Sequence, residues 1–304
     1  MAKQFSAHEK KLLSIFKPNE IFYYNGEKYI IEFAGKPMPP KGESKTDVFV
    51  GVRKLSTNKP LSIKISYKKN NAEFLENKIK AERAKQLLGC DWENILKNSI
   101  KNIKNDLLNS KLIYIKGKYP TKPGSITLGW KFEILTVANR KLSGKLIVPK
   151  EKTAEIIKDV YSGIHLPDDK KHCFVGKNQI ENSGIANTIL WGDIKNSFSV
   201  QDIIDKLIPI EKFIIDHPNI YFACTGCNYR ILEDKCDGKR SLLIYVNWTI
   251  NKGKLCSEIV FDNPLKYVAT DIMDNLKNCL NKLNINSIDD FNSNKILNTT
   301  IINQ

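Results

Sequence analysis

The chain has 304 residues, 41% of them apolar, and 48 Lys+Arg against 33 Asp+Glu, for a net charge of +15. That length allows one large domain or two modest ones with a sizeable core, and the charge predicts a surface that attracts polyanions in a salt-sensitive way. No apolar stretch follows the N-terminal MetAlaLysGlnPheSer and none is long enough for a bilayer, so a cytoplasmic protein without a membrane span is expected.

Taken in chain order, residues 6–16 predict an amphipathic helix with Leu12, Leu13 and Phe16 on its buried side. Two apolar runs then flank Asn25-Gly26, the strongest short signal for a hairpin, because a type I′ turn needs positive φ at both central positions. Residues 35–45 carry three prolines and two glycines and predict irregular chain. Alternation then predicts two strands, one with Val48, Val50 and Val52 on a single face, the other with Leu61, Ile63, Ile65 and Tyr67 alternating with Ser62, Lys64 and Ser66. Asn70–Gly89 reads as a helix, with a more polar and basic helix at about 91–109. Residues 125–148 read as two strands and 150–161 as a charged helix. A helix at 199–216 interrupted by Pro209, a strand at 219–224, a hairpin across Asn251-Lys252-Gly253 and a terminal helix at 265–283 complete the pattern. A division into residues 1–150 and 151–304 is the expected domain organisation.

The chemically sharp segment is the strand pair at 43–66. If Asp47 and Lys64 face the same side, a carboxylate that can hold a hard cation stands beside an ammonium, on a basic chain. Cutting a phosphodiester needs a polarised phosphoryl oxygen, an activated water and help for the leaving oxygen, and those residue types can supply them. ThrAsp47 followed by Ser62-Ile63-Lys64 resembles the strand pair of the PD-(D/E)xK nucleases, the superfamily that contains most type II restriction endonucleases. The resemblance covers about 40 residues. It implies an α/β (α+β) restriction-endonuclease-like fold, a mixed β-sheet flanked by helices, with a mixed C-terminal region for target recognition or dimerisation.

Carried over residue by residue, the resemblance implies that Asp47 binds Mg²⁺ and that Lys64 assists the attacking water. Thr46 stands where the family has proline, and Ser62 where it has a second acidic residue. Some members with a serine there move the missing carboxylate to the following helix, where Glu76 is the first candidate, then Glu73, with Glu82 also present. Glu43 resembles the additional acidic residue many members present, with Glu32 as an alternative. The structural alternatives are ordinary: Asp47 capping a strand, Lys64 on a solvated edge, Glu73 capping a helix start, Glu76 paired with Lys80.

Ten basic residues against three acidic ones lie between Arg53 and Lys85, and seven lysines with only Asp106 between Lys97 and Lys122. Lys68, Lys69, Lys80 and Arg83 are therefore expected to contact DNA phosphates. Seven cysteines without a signal peptide predict reduced thiols. Cys224, Cys227, Cys236 and Cys256 have elements of a zinc site, but Cys256 falls in an expected strand without a second CxxC, which favours buried thiols. No P-loop, Rossmann glycine pattern or GxSxG occurs. The expected activity is Mg²⁺-dependent cleavage of double-stranded DNA, most simply by a homodimeric restriction endonuclease. A repair or phage-defence nuclease and a non-catalytic DNA-binding protein are the alternatives.

Overall fold

A computed structural model of the chain describes residues 7–69, 74–298 and 301–303. The protein is mixed α/β and its backbone divides into two compact units, each made of two separated segments: 1–73 with 153–218, and 74–152 with 219–304. The chain therefore passes between the units at three places, after residues 73, 152 and 218. Among the described residues, no helix is long and apolar enough to cross a membrane.

The first unit opens with helix α1 (Ala7–Ile15), which buries Leu12 and Ile15. Strands β1 (Ile21–Tyr24) and β2 (Glu27–Gly35) form the expected hairpin, with Asn25 and Gly26 at φ 51° and 77°. Strands β3 (Val48–Lys54) and β4 (Pro60–Lys68) extend the antiparallel meander, with Val48 opposite Ile65 and Val52 opposite Leu61. Strand β5 (Thr188–Trp191) runs parallel to β4, and β6 (Leu207–Pro209) adds antiparallel to β5. A parallel neighbour needs a crossover, and the helix Lys150–Ser162 lies within that long connection. The six strands therefore stand in chain order across one mixed sheet.

Alternation decides what this sheet buries. Val48, Val50, Val52, Ile63 and Ile65 share a core with Leu12, Ile15 and Phe16, and with Val200, Ile203 and Ile204 of a short helix. Each such side chain contributes roughly 1.5–3 kcal/mol by leaving water, which is what holds α1 on the sheet. Part of the segment expected to be irregular, Pro37–Met38, joins a small separate sheet with Phe174–Val175 and Asn178–Gln179.

The second unit centres on the strand Ser125–Leu135, flanked by Tyr221–Arg230 and Ile244–Asn251, the latter in a hairpin with Lys254–Val260. Trp248 is fully buried, and its indole N–H donates to the Thr127 carbonyl at 3.1 Å. The helix Ala269–Lys282 covers this sheet through Ile272, Leu276 and Leu280.

Several expectations change here. The helix expected over 70–89 begins only at Ala81. Phe74–Glu76 instead pairs as a strand with Ser125–Leu135, and Lys78 takes a positive φ of 62° that no helix tolerates. The basic helix at 91–109 is broken by a 3₁₀ turn at Lys101–Ile103. The helix at 199–216 is two helices separated by β6, and Pro209 heads the second, where its missing N–H costs nothing. Cys224 and Cys227 lie along the continuous strand Tyr221–Arg230. Their odd spacing puts them on opposite faces, unlike a curled zinc knuckle. Both thiols are buried, and burial raises their pKa.

Candidate active site

Asp47 stands one residue before β3, at the corner where β3 begins and β4 ends. The Gly184 carbonyl accepts the N–H groups of Lys45 at 3.0 Å and Thr46 at 3.2 Å, and so docks the incoming loop. The Asp47 N–H then donates to the Ile65 carbonyl at 2.8 Å, although Val48 is already registered with Ile65. Two residues of the entering strand meet one of β4, which is a bulge, so strict alternation stops before Asp47. The Asp47 carboxylate accepts the Tyr67 N–H at 2.7 Å and continues the ladder past its last backbone pair. Burial pushes its pKa up to about 6, against the opposing pull of the Tyr67 N–H and Lys68.

Lys68 is the cation acting most strongly on this carboxylate; Glu9 of α1 raises its proton affinity and Lys36 lowers it. Glu9 and Lys36 form an ion pair with each other. The Lys68 ammonium also lies 5.7 Å from the centre of the Tyr161 ring, a cation–π contact. Tyr161 is fully buried, and its hydroxyl and that of Thr46 have no hydrogen-bond partner among the described residues. Burial drives the Tyr161 pKa upward and keeps it a neutral phenol. Buried hydroxyls are normally satisfied, so two orphans, one adjoining Asp47 and one under Lys68, mark this corner as polar beyond structural need.

Lys64 is placed differently. It is registered with Phe49, and its ammonium donates to the Asn182 carbonyl at 3.1 Å, with burial lowering its pKa. Asn187 clamps the adjoining backbone, accepting from the Lys64 N–H at 2.8 Å and donating to the Ser62 carbonyl at 3.0 Å. Glu43 is exposed in the loop ahead of Thr46, and Lys69 is exposed just past β4. Glu32 is paired with Arg53. Glu73 lies outside the described residues. Glu76 and Arg83 belong to the second unit, where the guanidinium grips both carboxylate oxygens at 2.8 Å. Lys80 is exposed there, immediately before the helix Ala81–Leu88. Glu9, Lys36 and Tyr161 had no sequence signal beyond a polar helix face, a proline-rich loop and an aromatic in a charged helix.

No family model, curated protein or solved structure matches this chain. Its chemistry must therefore be read from the corner itself. Among the described residues, no three His, Cys, Asp or Glu side chains converge into a metal cage. A closed zinc site, which takes four protein ligands, does not fit that donor set. Mg²⁺ commonly takes one or two carboxylates and fills its octahedron with water and phosphate oxygens. Asp47 supplies one such carboxylate, and Glu9, which acts on it through space while paired with Lys36, is the second that could meet that smaller requirement.

The docking loop can be tested separately. A Cβ on Gly184 would lie 1.9 Å from the Lys170 carbonyl oxygen, a backbone atom with no freedom to swing aside. Gly184→Ala should destabilise the protein by about 1–3 kcal/mol in denaturant melts, the usual cost of overpacking. A variant as stable as the parent would show that the chain at Lys170 yields to the added methyl.

Proposed function

We propose that the chain is a Mg²⁺-dependent endonuclease of double-stranded DNA, most simply a site-specific restriction endonuclease of the PD-(D/E)xK kind. What carries the reading is that Lys68 stands near enough to Asp47 to favour its ionised form, at one corner of a mixed sheet, in a chain of net charge +15. Lys68 takes the role first expected of Lys64, since Ser66-Tyr67-Lys68 has the same spacing and ends beside the aspartate. Asp47 and Glu9 would hold the ion, which when bound polarises a phosphoryl oxygen. Asp47 offers a charged ligand above about pH 6. The Lys68 ammonium, held over Tyr161, stabilises negative charge that grows on the phosphate or the attacking oxygen.

A DNA-binding protein without cleavage is the second reading. It is favoured by Ser66, which offers a hydroxyl where a carboxylate ligand is wanted, and by the Tyr67 N–H already occupying one Asp47 oxygen. The two separate on purified protein incubated with unmethylated plasmid or phage DNA, with Mg²⁺ or EDTA, beside Asp47→Ala. Discrete fragments that need Mg²⁺ and vanish in the variant support the endonuclease. Intact DNA across several substrates, with retained binding, rejects it.

A further inference from the structure

A cavity of about 310 Å³ opens within the second unit, between the helical segment 92–108 and the residues that follow strand Lys254–Val260. Asn94, Lys97, Asn98, Lys101 and Lys104 line one wall and Phe261 the other, with Asp262 the single acid of the lining. The spacing explains the wall: positions three and four apart share a helix face. The 3₁₀ turn at Lys101–Ile103 eclipses residues three apart, and so keeps Lys104 beneath Lys101. The Lys101 ammonium donates to the Asn98 amide oxygen at 2.9 Å, and the Lys104 ammonium lies 5.1 Å from the centre of the Phe261 ring.

We propose that this cavity binds one nucleotide unit, free or as part of a single strand. Three ammonium groups against one carboxylate select an anion. An aromatic ring on the facing wall selects a ligand that carries a flat π-system as well as its charge. The Asn94 and Asn98 amides offer both a donor and an acceptor, as a base edge requires. A volume near 310 Å³ is at the small end for ligand pockets, which admits one nucleotide and excludes a duplex. Lys104 occupies the ring face that a base takes; on binding, its ammonium moves from ring to phosphate. The inference is independent of cleavage at Asp47, since every group it uses lies in the other unit.

The experiment is calorimetric titration of the full chain with four ribonucleoside triphosphates, a mixed eight-residue single-stranded DNA, and pyrophosphate. At least one nucleotide probe should bind more tightly than pyrophosphate. The combined variant Lys97→Gln, Lys101→Gln, Lys104→Gln should weaken that binding at least tenfold. Lys111→Gln, Lys116→Gln, Lys118→Gln, which removes equal charge from the same unit, should leave it unchanged. Phe261→Leu should cost about tenfold for the nucleotide, the worth of one stacked base, and nothing for pyrophosphate. Phe261→Trp should give fluorescence quenched by the nucleotide, a readout that holds if the leucine variant folds poorly. Triphosphates that bind identify a free nucleotide as the source, and binding by the oligonucleotide alone identifies a strand. The proposal is overturned if no probe binds, if both lysine triples weaken binding alike, or if pyrophosphate binds as well as every nucleotide.

Discussion

Asp47→Asn should melt a few degrees above the parent at pH 8 in EDTA, match it near pH 4, and lose DNA cleavage. The carboxyl has a pKa of about 6 in the folded chain, against 3.8 for an ordinary aspartate. Between those values the folded state keeps a proton that the unfolded state has released, so stability falls as pH rises through the window. Above it the native protein carries an ionised, poorly solvated carboxylate. Two pH units correspond to about 3 kcal/mol, and the partial exposure of the site reduces this to about 1–2 kcal/mol. Asparagine keeps an oxygen to accept the Tyr67 N–H and removes the charge, so the penalty goes while the ladder stays. Added Mg²⁺ should narrow the difference, because an ion bound to the native carboxylate stabilises only the parent. Equal melting temperatures at pH 8, or a less stable variant, would mean that Asp47 is comfortably ionised where it stands. That result would leave it as a simple strand cap.

Lys68→Ala should reduce cleavage by about 10²–10³-fold, the usual cost of losing a positioned group that stabilises transition-state charge. Lys64→Ala should cost less than about tenfold by the same measure. The contrast follows from placement: one ammonium acts on Asp47 and lies over Tyr161, the other is spent on the Asn182 carbonyl. Single-turnover rates at saturating Mg²⁺ compare the two directly, with thermal melts to confirm folding. If Lys64→Ala is the dead variant, the Ser62-Ile63-Lys64 reading stands and the corner described here is structural.

What could be read from the sequence was local. Asn25-Gly26 fixes a hairpin because φ is positive at both residues. The alternation of Val48, Val50 and Val52 fixes a buried face because a pleat repeats every two residues. The choice between Lys64 and Lys68 was not: Arg53 pairs with Pro60 around the turn, and counting back from it sets Asp47 against Ser66, midway between the two lysines. The bulge at Asp47 could not be read, since it depends on Gly184 gripping Lys45 and Thr46 from far along the chain. Nor could the parallel pairing of Thr188–Trp191 with Ile65–Lys68, because no local pattern names a partner some 120 residues away. Apolar spacing alone places Glu76 in a helix, and the strand Phe74–Glu76 wins because Ser125–Leu135 offers it an edge.

The interleaving of the two units governs how the protein is made. A ribosome releases the meander of the first sheet early, but the fifth and sixth strands of that sheet, Thr188–Trp191 and Leu207–Pro209, emerge only after all of 74–152. Until then one edge of Pro60–Lys68 presents bare amides and carbonyls, the situation in which strands pair with the wrong chain. Pro60, the exposed Lys59 and the half-buried Lys64 and Lys68 sit on or beside that edge. The same lysines that give the folded protein its charge therefore also guard the nascent one against sticking to its neighbours.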